Sequence, residues 1–223
     1  MRYPDTAPAV FLARLNRFVA RVEIDGQVET VHVKNTGRLR ELLVPGTEAV
    51  LARAANPARK TAWDLIAVRQ NGQYINIDSQ APNAAVAELL RRLFPGCVLF
   101  PEYTFGHSRF DFYLEWESRR RFVEVKGVTL VRDGTALFPD APTERGRKHL
   151  LELIEARRQG YEAAALFLVQ RSDAARFSPN RETDNAFAET LCAARDAGVD
   201  IWCYDCNVTA DTIAARSEVP VEL

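Results

Sequence analysis

Apolar and polar positions alternate in short runs through the first third of the chain. FVARVEI (18–24), QVETVHV (27–33), EAVLARA (48–54), WDLIAV (63–68) and YINI (74–77) each show the period of two that marks a half-buried strand. Asp25-Gly26 joins the first two runs as a hairpin turn, because both central residues of the tightest turns need positive φ. Asn56-Pro57 is a polar break, and Asn71-Gly72 a second turn. At residue 83 the period changes. Val86, Leu89, Leu90 and Leu93 fall on one helical face, which predicts a helix over 84–94 capped by Asn83 and ended by Pro95-Gly96. Strands are predicted at 97–105, 109–116 and 120–130. A Gly/Pro-containing link leads to a helix over 143–159, stopped by Gly160. A buried strand (162–170), a helix (184–198) and a strand (199–204) complete the chain.

Two domains follow from this change of pattern. Residues 1–82 form a small five-stranded barrel of the OB type, although another small barrel fits nearly as well. Residues 83–223 form an α/β domain with the order α-β-β-β-α-β, then α-β, so the whole is α+β. No internal repeat or low-complexity tract interrupts it.

Apolar residues make up 47% of the chain, enough for a full core, and a net charge of −1 gives no overall attraction to polyanions. The charge is uneven, however. Residues 1–82 carry 11 Lys/Arg against 8 Asp/Glu, and residues 83–223 carry 18 against 22. The first domain thus suits a polyanion and the second a cation. No apolar run has the length of a membrane span, and the N-terminal residues lack the apolar stretch of a signal peptide. The expected setting is the cytoplasm, with no membrane partner. Four cysteines are too few and too irregular for a disulfide framework. Cys203 and Cys206 form a lone CxxC at a strand end, read as a structural thiol pair.

The candidate chemistry lies in RFDFYLEWESRRRFVEVK, residues 109–126. On the first strand Phe110, Phe112, Leu114 and Trp116 share a core face, and Asp111 points the other way. On the second, Glu124 and Lys126 share a face. With a two-residue Glu117-Ser118 turn, Trp116 pairs with Arg119 and Asp111 lies opposite Glu124. Opposed carboxylates repel in plain sheet. A divalent cation between them reverses the sign, and Mg²⁺ or Mn²⁺ would keep waters for a phosphate substrate. Lys126 would then position the attacking water or stabilise charge on the phosphate, and the Val125 carbonyl would add a ligand. A three-residue turn would instead set Asp111 against Val125 and break the constellation. The plainer alternative is a solvated face, with Asp111 paired to Arg109 or Arg121 and Lys126 to Glu124. Asp on the second strand and ExK on the third, within α-β-β-β-α-β, is the arrangement of PD-(D/E)xK nucleases.

NTG (35–37), SRFDF (108–112), EVKGVTL (124–130), FPDAPTERGRKHL (138–150) and RFSPN with the following Asp184 occur in order along nearly the whole chain. In these the sequence resembles the sugar fermentation stimulation protein A family. The resemblance implies an OB-like N-terminal domain joined to a PD-(D/E)xK-like C-terminal domain, DNA binding, and a link to regulation of sugar-utilisation genes. It matches Asp111, Glu124 and Lys126 to the nuclease triad. Phe110 and Lys34 depart from the family's usual residues, and neither belongs to the triad.

Other candidates are weaker. Glu88 on the helix and Glu102 on the preceding strand compete as a third acid. Asn35, Thr36 and Gly37 form a turn whose amides suit phosphate, with Arg38 and Arg40 adding charge; a plain turn would need Gly37 for positive φ. Arg145, Arg147, Lys148 and His149 open a helix whose N-terminus favours a DNA backbone. His32 and His107 read as a strand and a loop residue, and Arg119–Arg121 as a solvated turn. Phe94, Phe100, Phe105, Phe167, Trp202 and Tyr204 read as core, leaving Trp63 and Tyr74 as the few aromatics the barrel offers for base stacking. The expected activity is metal-dependent DNA hydrolysis without strong sequence preference. The alternatives are a non-catalytic DNA-binding regulator and, more distantly, an RNA-binding protein.

Overall fold

A computed structural model describes residues 1–56, 58–106 and 108–223. Pro57 of the expected break and the loop histidine His107 lie outside the described residues.

The barrel is built from β1 (Thr6–Asn16), β2 (Val19–Ile24), β3 (Gln27–Val33), β4 (Glu48–Arg53) and β5 (Trp63–Gln70). They hydrogen-bond in the order β3-β2-β1-β4-β5, and a short parallel pairing of His32 and Val33 with Asp64 and Leu65 closes the ring. The count of five holds, but its membership differs from the expectation. β6 (Gln73–Asn76) only extends β5, and the fifth barrel strand is β1. Pro8 and two register shifts disturb the alternation of β1 as it passes from β4 to β2, which hides it from a period-two reading. Asp25-Gly26 and Asn71-Gly72 both adopt positive φ at both positions, as the hairpin reading requires. Phe11, Val22, Val31, Leu51, Leu65 and Ile75 fill the interior.

The second domain is a six-stranded mixed sheet with helices on both faces. α1 (Ala81–Leu93) precedes β7 (Val98–Phe105), β8 (Ser108–Trp116) and β9 (Arg119–Val128). A hairpin of β10 (Val131–Arg132) and β11 (Thr135–Phe138) leads to α2 (Glu144–Arg158) and β12 (Glu162–Val169). β13 (Arg176–Pro179), α3 (Arg181–Asp196), β14 (Asp200–Val208) and β15 (Ile213–Glu218) follow. The sheet order is β15-β14-β12-β9-β8-β7, with β9, β12 and β14 parallel. β10, β11 and β13 form a small separate sheet where only a link was expected, and β15 was also not foreseen. Among the described residues, no helix is long and apolar enough to cross a membrane.

Two cores flank the sheet. α1 packs Val86, Leu89 and Leu90 against Leu114, Val123 and Leu166, together with Val50 and Ile66 of the barrel. α2 and α3 cover the other face through Leu150, Leu153, Phe167, Phe187 and Leu191. Asn83 does not cap α1. Pro82 sits in the first turn, where its missing N–H costs nothing, so the helix begins at Ala81 and Asn83 projects from it. Cys203 and Cys206 are both buried, and burial pushes both thiols up, but they belong to opposite cores. Residues three apart on a strand face opposite ways, so they are structural without being a pair.

Two polar anchors and one close approach of backbone set the loops around the sheet. The buried Gln170 side chain donates to Asn76 Oδ1 (2.9 Å) and the Asp78 carbonyl (3.1 Å), tying β12 to the barrel. Gly37 lies so close to the FPDA loop that a Cβ there would meet Asp140 Oδ2 at 2.8 Å. Asp184 accepts the N–H groups of Thr143 and Phe187, both at 2.9 Å, so one carboxylate caps the main part of α3 and holds the N-cap of α2. Thr143 in turn accepts the Gly146 N–H (3.0 Å), and a Cβ on Gly146 would meet Thr143 at 2.8 Å. These contacts account for much of the FPDAPTERG motif. Asp184→Ala should cost about 1–3 kcal/mol in urea unfolding, and Asp184→Asn, which keeps a capping oxygen, clearly less.

Candidate functional site

The β8–β9 hairpin has the two-residue turn, with Trp116 paired to Arg119 and the ladder running to Phe112 and Val123. Beyond that pair the ladder gives way to a side chain. Asp111 Oδ2 accepts the Val125 N–H at 2.8 Å, and Asp111 Oδ1 accepts Asn83 Nδ2 at 2.8 Å. Strand β8 turns over at this point. Phe112 and Leu114 enter the α1 core, whereas Phe110 enters the α2/α3 core, so the single apolar face expected for this strand is split at Asp111. On the neighbouring strand, Glu102 has φ +53°, so the distortion spans both.

Glu124 is only 3% exposed. Its Oε1 accepts Lys126 Nζ (2.6 Å) and lies in close contact with His149 Nδ1 from α2, while its buried Oε2 has no hydrogen-bond partner. Burial pushes the Asp111 carboxyl up, and the nearby Glu124 charge pushes it further, against the opposing pull of the Val125 N–H, Asn83 and Lys126. Burial acts on Glu124 in the same sense, but the His149 hydrogen bond and the Lys126 ammonium outweigh it and hold Glu124 below the usual carboxylate range. The solvated-face alternative is half met. Lys126 does pair with Glu124, but Arg109 pairs with Glu102 and Arg121 with Glu162, and Asp111 has neither.

The donors fit a hard divalent cation. An orphaned carboxylate oxygen inside a protein is costly, of order 1–3 kcal/mol or more, and a cation shared with Asp111 removes that cost. Among the described residues, no three His, Cys, Asp or Glu side chains gather as a metal cluster. The ligand set would be two carboxylates completed by water and by the Val125 carbonyl, which leaves the strand on the same side as its N–H. Such an oxygen set suits Mg²⁺, Mn²⁺ or Ca²⁺ rather than zinc. Neither proposed third acid joins it. Glu88 is exposed against the Met1 amino group, and Glu102 is 65% exposed against Arg109. The helix-borne residue that reaches Asp111 is Asn83, and the buried partner of Glu124 is His149; strand and helix periodicity alone does not reveal either contact.

The other candidates divide. Asn35 uses its amide on the Ile77 carbonyl and the Gly37 N–H, and Arg14 gathers the carbonyls of Asn35, Gly37 and Arg38. Asn35 and Gly37 thus shape the loop, and Gly37 is needed for its approach to Asp140 rather than for positive φ. Thr36 and Arg38 remain exposed. This loop and the 138–143 segment wall a cleft of about 400 Å³ whose floor is residues 127–130, the continuation of β9 beyond Lys126. Arg145, Arg147 and Lys148 are exposed on α2. Arg121 departs from the solvated-turn reading: it is 7% exposed, packed on Phe94 and Trp202 and paired with Glu162 and Asp200. His32 pairs with Asp64, and Trp63 and Tyr74 are covered by Arg53 and Arg69.

The raised Asp111 carboxyl has a consequence for stability. Its contribution is fully present below the unfolded carboxylate range and is lost as pH rises through the higher folded value. Asp111→Asn lacks this loss, and Asn83 can rotate its amide to match the new side chain. In chelator, the variant's unfolding free energy should therefore gain on the parent as pH rises through and above the ordinary carboxylate range.

Residues 12–77 match the family described as SfsA N-terminal OB domain, and residues 80–212 match the sugar fermentation stimulation protein RE domain. The sugar fermentation stimulation protein homolog of Desulfitobacterium hafniense (strain DSM 10664 / DCB-2) is 51% identical over 225 residues, covering 100% of this chain and 99% of the relative. That of Clostridium novyi (strain NT) is 50% identical over 229 residues and covers both chains fully. Among solved structures, Pyrococcus furiosus SfsA in complex with Ca²⁺ superposes with a TM-score of 0.89 at 32% identity, over 100% of this chain and 98% of that one. By its two matched domains and by relatives aligned from end to end, the chain belongs to the sugar fermentation stimulation protein family.

Proposed function

We propose that the protein is a divalent-metal-dependent DNA phosphodiesterase of the PD-(D/E)xK type, working in the cytoplasm. The observation that carries this reading is the buried, unpartnered Oε2 of Glu124 beside Asp111, with an ammonium group alongside. The Pyrococcus furiosus relative in complex with Ca²⁺ supports a divalent cation here. Free cysteines are in keeping with a reducing compartment.

Asp111 and Glu124 would hold Mg²⁺ or Mn²⁺, with the Val125 carbonyl. Bound there, the metal would lower the pKa of a water and polarise a phosphate oxygen. The chain's own residues do the rest. His149 fixes the Glu124 carboxylate from within the protein, and the Val125 N–H and Asn83 fix Asp111, so neither needs to reorganise. Lys126, partly exposed, is placed to release Glu124 and orient the attacking water or meet the phosphate. Thr36, Arg38, Arg145 and Lys148 would grip the DNA backbone, with Asn35 and Gly37 holding the loop in shape.

One observation favours the regulator reading instead. Lys126 is engaged by Glu124 at 2.6 Å, and among the described residues no third acid approaches, so the same fold would bind DNA without cutting it. Incubation with supercoiled, linear and branched DNA decides between them. Cleavage in Mn²⁺ should stop in EDTA and fall about a hundredfold or more in Lys126→Ala, with DNA binding retained. Binding without cleavage of any of these substrates would make the protein a regulator.

A further inference from the structure

We infer that the site is fed by an unpaired strand, led to it along a trough between the barrel and the FPDA loop; this rests on the phosphodiesterase reading above. Two concavities carry the inference. One is the cleft of about 400 Å³ floored by residues 127–130. The other, of about 390 Å³, lies on the barrel and is lined by Arg14, Arg17, Arg38 and Arg40. Arg17, Thr36, Gly37 and Arg38 line both, so the two are continuous.

The trough is built for a polyanion. No acid lines its barrel half, and Asp140 is the single carboxylate of the cleft half. Arg14 is consumed by loop carbonyls. The exposed Arg17, Arg38 and Arg40 form no ion pair among the described residues. Neighbouring unpaired cations repel one another, and phosphates relieve that repulsion.

Its dimensions favour one strand over two. Each half has the volume of a pocket for a small ligand or a single nucleotide, which suits one extended strand. The two walls approach closely, since a Cβ on Gly37 would meet Asp140. Phe18 follows Arg17 in the β1–β2 turn and is 48% exposed, and its carbonyl holds the Val33 N–H beside the Asn35 loop. The ring lines neither concavity but belongs to the residue after Arg17, which lines both, and an exposed ring offers a stacking face that only unstacked bases can reach. Asp140 supplies an acceptor for base amino groups. The floor begins at Gly127, the residue that follows Lys126 in the chain, and the inferred path runs from basic groove to cleft and on toward the carboxylates.

Fluorescence anisotropy in Ca²⁺ with a labelled 20-mer strand and the matching blunt duplex tests this apart from catalysis. The single strand should bind at least tenfold more tightly. Phe18→Ala should weaken it roughly tenfold. Arg17→Ala and Arg38→Ala should each lower the salt slope by about 0.7, the value for one lost phosphate contact on a single strand. These side chains are exposed, and an unchanged melting temperature confirms folding. Equal affinity for duplex and strand, or full affinity in Phe18→Ala, would overturn the inference even if duplex DNA is cut. Preferential strand binding lost in Phe18→Ala would uphold it even if no substrate is hydrolysed.

Discussion

The hydrogen bond from the Val125 N–H to the Asp111 carboxylate is the contact on which the site depends. It stands where a backbone carbonyl would otherwise continue the β8–β9 ladder. A side chain in that role draws Asp111 in toward β9 and sends Phe110 and Phe112 to opposite cores. It also leaves two carboxylates of like charge within mutual influence inside the protein. Ordinary sheet avoids such a pair. Here the surroundings are arranged for it: Asn83 comes down from α1, His149 comes up from α2, and Lys126 lies alongside. One oxygen, Glu124 Oε2, is left with nothing to bind. A group of buried acids with a single vacancy in its hydrogen bonding is what a cation would complete.

The rest of the fold serves to bring loops to that point. Gln170 fastens the barrel to the sheet immediately beside β9, Asp184 sets the starts of both α2 and α3, and Gly37 lets the barrel's loop meet Asp140. Each brings together elements distant in sequence. Together they set the loops that wall the cleft.

The elements that strict periodicity marks were legible in the sequence: the hairpins at Asp25-Gly26 and Asn71-Gly72, the helical stripe of Val86, Leu89 and Leu90, and the two-residue turn at Glu117-Ser118 that sets the register of the acids. What escaped was governed by long-range contacts. β1 loses its alternation because it serves two neighbours in turn. Asn83 reads locally as a cap, because nothing nearby in sequence shows the strand carboxylate that it meets. Arg121 resembles any charged turn residue until the sheet brings Glu162, Asp200 and Trp202 around it. That the CxxC cysteines enter opposite cores shows only once their strand is placed in the sheet. The placing of Asp111, Glu124 and Lys126 near one another is legible from strand pairing, whereas Asn83 and His149, which hold the two carboxylates, belong to helices that sequence spacing cannot dock.

Isothermal titration of the chelator-treated protein with Mn²⁺ tests the central claim most directly. The account predicts one site per chain, weakened at least a hundredfold by Asp111→Asn and by Glu124→Gln and unchanged by Glu88→Gln. Binding that survives both carboxylate substitutions, or that Glu88→Gln abolishes, would show that the cation belongs elsewhere and that the paired acids of β8 and β9 serve the fold alone.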